Sequence, residues 1–185
     1  VLTANLGSIR IDEIFEVDVD ESCSDASHAF VLILQGDLSS FDNLCSETST
    51  GITILQGNAG HDFAMTQRGG AIYVEGSLGR RAFSDKRDGL CMITGNVADR
   101  FGAPLPGKLQ GVSGGDSILL GDAGDRACER MRRGTICVAG RIGSHLAHQW
   151  IAGTILALQP PGPYWGAQMR RGSLILCSDS NSDSA

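Results

Sequence analysis

Aromatic side chains are scarce: six Phe, two Trp and two Tyr make up 5% of the 185 residues. With so few rings and 25 glycines, a bundle of long helices is disfavoured. A fold with many tight corners and small side chains inside is favoured. No apolar run approaches the 18 or more residues of a membrane span, and no charged segment leading into an apolar one opens the chain. Neither a bilayer crossing nor a secretory leader is therefore expected. Lys and Arg number 15 against 21 Asp and Glu, and the resulting charge of −6 argues against a general nucleic-acid binder. CxxC pairs are missing from the six cysteines, Cys23, Cys45, Cys91, Cys128, Cys137 and Cys177. With Cys91 and Cys137 inside apolar runs, they read as small reduced core residues of a cytoplasmic chain rather than as disulfides or metal ligands.

What the chain has instead is a period. Gly115, Gly134, Gly153 and Gly172 are 19 residues apart, as are Gly51, Gly70 and Gly89. The same interval relates Gly57, Gly76 and Gly95, then Gly121 and Gly140; it also relates Gly60 and Gly79, then Gly124, Gly143 and Gly162. Glycines in register at a fixed spacing mean stacked, equivalent turns. From Gly89 to Gly115 the interval is 26, so one turn carries seven extra residues, expected within Phe101 to Gly114 (FGAPLPGKLQGVSG). Gln35-Gly36 precedes Gln56-Gly57 by 21 residues, which marks residues 29–50 as a divergent first turn.

Numbering Gly51 as position 1, the glycines at positions 1, 7 and 10 bound short apolar segments: ITIL, AIYV, LCMI, SILL, TICV, TILA and SLIL. These are too short for helices and contain β-branched residues, so each is a strand. Strands joined by crossovers of constant length stack in parallel about 4.8 Å apart, and such crossovers are right-handed. The expected fold is an all-β, right-handed parallel β-helix of about seven 19-residue turns. It occupies residues 29–177, after an extension or cap at 1–28 and before a low-complexity, disordered tail at 178–185. Corner glycines are expected where positive φ or close backbone approach is needed. Ala98 replaces the glycine of position 10 in the turn with the insertion, and Gln159 that of position 7 in the last.

The register also sorts the faces. Position 5 (Leu55, Val74, Ile93, Leu119, Val138, Ala157, Leu176) and position 13 (Phe63, Ala82, Phe101, Ala127, Leu146, Trp165) are expected in the core. Position 4 must then point outward, and yet it is apolar: Ile54, Tyr73, Met92, Ile118, Cys137, Leu156 and Ile175. That stripe is either a partner interface or the seat of residues 1–28 folded back. A second stripe, Arg68, Arg87, Arg132, Arg133, Arg170 and Arg171, is either a strip for an acidic partner or polyanionic ligand, or an ordinary solvated edge. His61, His145 and His148 lack carboxylate or thiol neighbours at metal-ligand spacing, and no nucleophile–base arrangement stands out. The residues alone describe a structural or interaction module.

GDAGDRACERMRRGTI, RIGSHLAHQWIAGTI and GAQMRRGSLIL, with the GAPLPG insertion at Gly102 to Gly107, resemble the GXGXG-repeat subunit of formylmethanofuran dehydrogenase. They are most similar to its bacterial counterpart in the formyltransferase/hydrolase complex, and more distantly to the C-terminal GXGXG domain of the glutamate synthase large subunit. The resemblance covers roughly Gly36 to Leu176. It implies a right-handed β-helix with no catalytic residue of its own, a scaffold packed against the other subunits of that complex. The complex handles one-carbon units on methanofuran-type and tetrahydromethanopterin cofactors during formaldehyde oxidation to formate, and none is bound directly by this chain. No nucleic-acid or membrane partner is implied, and self-association is compatible with it. The other readings are a glutamate-synthase-like spacer, a stand-alone interaction β-helix, and intrinsic activity at the histidine corners.

Overall fold

The computed structural model describes residues 5–6, 9–10, 16 and 30–177. A two-residue antiparallel pair, β1 (Asn5–Leu6) and β2 (Ile9–Arg10), stands apart. The remainder of the expected 1–28 extension and all of the 178–185 tail lie outside the described residues. Eight strands follow: β3 (Val31–Gln35), β4 (Ile52–Gln56), β5 (Arg68–Glu75), β6 (Asp88–Ile93), β7 (Asp116–Leu119), β8 (Thr135–Val138), β9 (Thr154–Ala157) and β10 (Ser173–Leu176). They form one parallel sheet in strict sequence order, and no helix occurs among the described residues. The register runs Leu34, Leu55, Val74, Ile93, Leu119, Val138, Ala157, Leu176. A parallel β-helix of about eight turns results, one more than the seven regular repeats because the divergent first turn contributes a full strand.

Each coil has three sides. The sheet forms the first, and single parallel bridges at position 9, linking Leu38, Ala59, Leu78, Val97, Ala123 and Ile142, form the second. On the third, the residues at positions 12, 14 and 16 hold φ near +60°, as in Asp62 (59°), Ala64 (53°) and Thr66 (55°). Their amides still form a ladder: Asp62 and Thr66 donate forward to Arg80 and Ser84 carbonyls, whereas Ala64 donates back to Leu44. Left-handed backbone costs a non-glycine residue roughly 1–2 kcal/mol. In the coils between the two ends a ladder bond for each such residue offsets it, because an unpaired buried amide would cost as much again. This side sends two adjacent rows inward, since positions 13 and 14 are both buried. They alternate in size as Phe63/Ala64, Ala82/Phe83 and Phe101/Gly102, and the three phenylalanines stack edge-on with centroids 5.9 and 6.2 Å apart.

The glycines divide by cause. At position 1, φ lies between 66° and 141° from Gly51 to Gly172. At position 7, Gly76, Gly95, Gly121 and Gly140 have no positive φ; a Cβ there would sit 2.0–2.3 Å from the glycine carbonyl oxygen of the preceding coil. At position 10, Gly60, Gly79, Gly124 and Gly143 face an acceptor from the coil before: Asp42, His61, Asp99 and Asp125 respectively, 2.5–2.6 Å from the added Cβ. Ala98 follows Arg80 in that series, and an arginine offers no acceptor to crowd it.

Those acceptors form two side-chain ladders. At position 11, the Asp42 Oδ1 accepts from His61 N, the His61 Nδ1 from Arg80 N, Asp99 from Asp125 and Asp125 from Ser144. At position 8, Asn58, Ser77, Asn96 and Asp122 each accept from the backbone amide one coil on, ending at Arg141. Side chains thereby satisfy the corner amides that no strand can reach.

The extra residues fall at 104–110, since Asp85 N still bonds Ala103 O and the regular register is back at Val112 and Ser113, where Arg132 N bonds Val112 O and Ser113 N bonds Lys86 O. In the first turn, Ser39 and Ser40 are the added pair: Leu38 aligns with Ala59, 21 residues on, but Asp42 with His61, 19 on. Two core expectations need correction. Leu176 and Trp165 are each 48% exposed, because they belong to the last coil, over which no described residue packs.

Candidate docking surfaces

Strand geometry places positions 3 and 5 inside and 2, 4 and 6 outside. Ile33, Ile54, Tyr73, Met92, Ile118, Cys137, Leu156 and Ile175 are register partners along one outward column. Ile54 through Leu156 are half-buried, because side chains about 4.8 Å apart along the column cover one another. At the ends, Ile33 and Ile175 are 54% and 46% exposed. The flanking columns were not read from the sequence, and they tilt the surface. Position 2 is apolar at the N-terminal end (Val31, Ile52, Ala71, Leu90) and polar beyond it (Asp116, Thr135, Thr154). Position 6 does the reverse, from Gln35, Gln56, Glu75 and Thr94 to Leu120, Ala139 and Leu158. An apolar band therefore crosses the sheet diagonally between two polar margins. One margin is a side-chain ladder in which Gln35 Nε2 donates to Gln56 Oε1 at 2.6 Å and Gln56 Nε2 to Glu75 Oε2 at 3.3 Å.

The six arginines of the basic strip are all exposed, but they fall into two groups. Arg68 pairs with Glu47 at 3.5 Å and Arg87 with Asp85 at 3.1 Å. Ser113 and Ile151 take the same position 18 in two intervening coils, which interrupts the row. Among the described residues, Arg132, Arg133, Arg170 and Arg171 have no carboxylate partner within 4.0 Å. Arg170 lines a groove the sequence did not reveal, about 490 Å³ in volume, with Leu109, Gln110, Arg130, Gln149, Ile151 and Gln168, and Arg132 and Arg133 line a smaller hollow that shares Gln110 with it. Two hydrogen bonds tie the 104–110 loop to its wall, Arg132 Nη1 to Gln110 Oε1 at 3.0 Å and Arg130 Nη1 to Lys108 O at 3.5 Å. The floor is a chain in which Arg130 Nε donates to Gln149 Oε1 at 2.5 Å and Gln149 Nε2 to Gln168 Oε1 at 2.8 Å.

The histidines are dispersed. The His61 Nδ1 is spent on the Arg80 amide, 3.0 Å away. Four coils on, or about 19 Å, the His145 ring lies 5.1 Å from Tyr164 and 6.3 Å from His148 between centroids. Among the described residues, no three of His, Cys, Asp and Glu gather as a metal site would need. Burial pushes the Cys91 thiol up to about 11 and Cys128 to about 12, so neither is a ready nucleophile. Two interior polar side chains bond backbone carbonyls: Gln67 Nε2 donates to Gly69 O and Leu90 O, both at 3.1 Å, and buried Lys86 donates to Gly89 O. No helix among the described residues is long and apolar enough to cross a membrane.

No family model and no curated protein matches the chain. Among solved structures, it is similar to a chain in the crystal structure of the formyltransferase/hydrolase complex from Methylorubrum extorquens in complex with methylofuran. The identity is 28% and the TM-score 0.78, over 91% of this chain and 60% of that one.

Proposed function

We propose that this chain is a non-catalytic scaffold, equivalent to the GXGXG-repeat subunit, of a formyltransferase/hydrolase-type complex that handles one-carbon units on a methanofuran-type cofactor and tetrahydromethanopterin. The diagonal apolar band carries this reading. It combines an apolar centre with polar margins, the anatomy of a partner interface. Eight strands at about 4.8 Å and five residues at about 3.3 Å give the whole outer face, polar margins included, roughly 630 Å². A stable interface needs roughly 800 Å² per partner, so a subunit seated on the band must also reach past the sheet face. The likeness to a chain of a multi-subunit complex supports the choice of partners.

Co-expression with the hydrolase and formyltransferase subunits tests it, followed by affinity purification through a tag on this chain. The intact protein is expected to bring both subunits down. Ile118→Arg should lose them while keeping its circular dichroism, because Ile118 points away from the core. Failure of the intact chain to associate, or undiminished association by the variant, would refute the proposal.

A further inference from the structure

We infer that the groove between the 104–110 loop and the arginine columns is a binding site for an extended acidic peptide segment. The chain carries −6 overall, yet Arg130 and Arg170 line this groove and Arg132 and Arg133 line the hollow that shares Gln110 with it. Among the described residues none of them has a carboxylate partner, whereas Arg68, Arg80, Arg81, Arg87, Arg126 and Arg141 each do. Guanidinium groups held next to each other without counter-charges repel, and a carboxylate ligand relieves that repulsion with bidentate geometry.

The other lining residues say which carboxylate carrier fits. Gln110, Gln149 and Gln168 offer groups that both donate and accept, the complement of peptide amides. Leu109, 78% exposed, and Ile151 offer apolar contact beside them. Arg132 and Arg170 occupy position 18 two coils apart, or about 10 Å at about 4.8 Å per coil. A segment in polyproline II form covers about 9 Å in three residues and returns every third side chain to the same side. The ligand is therefore such an extended segment running along the β-helix axis, with acidic side chains three residues apart and apolar ones between them. A free phosphate or sulfate would use the charge and the carboxamide N–H groups but not the apolar pair.

This inference goes beyond the subunit assignment and is tested on the whole chain alone. Fluorescence anisotropy is measured with a labelled dodecapeptide having Glu at every third position and Leu between, and with its Glu→Gln counterpart. Saturable binding is expected for the first, weakening as salt rises, and at least about tenfold weaker binding for the second. Arg132→Gln with Arg133→Gln, and separately Arg170→Gln, should each lower affinity by roughly three- to thirtyfold. Arg68→Gln with Arg87→Gln, whose guanidiniums are already paired, should leave it unchanged. Thermal melts on every variant separate loss of the site from loss of the fold. Absence of saturable binding, equal affinity for the Gln peptide, equal loss from the Arg68/Arg87 variant, or displacement by inorganic phosphate at equal charge concentration would each overturn it. None of these results alters co-purification through the sheet face, so the two proposals fail separately.

Discussion

Adding one methyl group at Gly76 should damage the stack more than adding one at Gly107. Gly76 has ordinary φ, but its new Cβ would lie 2.0 Å from the Gly57 carbonyl oxygen and 2.5 Å from its carbon. Reaching the 3.4 Å of ordinary contact requires a separation of about 1.4 Å between backbones that are hydrogen-bonded to each other. Local ladder bonds are Gly57 N to Glu75 O at 3.2 Å and Gly95 N to Gly76 O at 3.0 Å. Stretching two or three such bonds past their range costs about 1 kcal/mol each, before any loss of packing. Gly76→Ala should therefore cost about 3 kcal/mol, and at about 2–4 °C per kcal/mol the melting temperature should fall by roughly 6–12 °C. At Gly107, φ is 81° and nothing lies within 4 Å of the added Cβ, so only left-handed strain of roughly 1–2 kcal/mol remains. Thermal and urea melts followed by circular dichroism compare the two. Equal melting temperatures for Gly76→Ala and the unaltered protein would show that the coils are not held at the spacing described.

Three further outcomes follow from the side chains. Native thiol labelling read by mass spectrometry should modify exposed Cys177 first and half-buried Cys137 more slowly, with Cys91 and Cys128 protected until urea unfolds the chain. Hydrogen bonds from backbone amides hold the Asp122 and Asp125 carboxyls below the ordinary carboxylate range, from Arg141 and Ser144 respectively. A depressed folded pKa gives stability that is present above the unfolded value and lost as pH falls through the folded one, so melting temperature should drop below about pH 4. Asp122→Asn should flatten that drop yet keep the corner, as Asn58 and Asn96 do at the same position, whereas Asp122→Leu should lower the melting temperature at neutral pH too.

The stack was legible because its signal repeats. Glycines at three corners fixed the period, and Leu55, Val74, Ile93, Leu119 and Val138 fixed the inward column. The third side was not legible, for a physical reason. Left-handed residues such as Arg81, Phe83 and His145 have no intrinsic preference for that conformation; the ladder between coils imposes it, and no single segment records the ladder. The capping role of His61 was equally hidden, since the amide it accepts belongs to a residue 19 positions later. Arginine columns could be counted from the register. Which guanidiniums were already paired could not, because Glu47 and Asp85 are reached only through coil geometry and a side-chain fold-back. The groove beside Leu109 needed the path of the insertion, whose glycines and prolines mark a loop but not the direction it takes.

The most direct measurement of the docking role is photocrosslinking in the co-expressed assembly, with Ile118→benzoylphenylalanine on the outer sheet face and Arg141→benzoylphenylalanine on a corner. A docking sheet face predicts covalent adducts to a hydrolase or formyltransferase subunit from position 118 and few or none from position 141. Adducts from position 141 with none from position 118 would place the partner elsewhere and contradict the account.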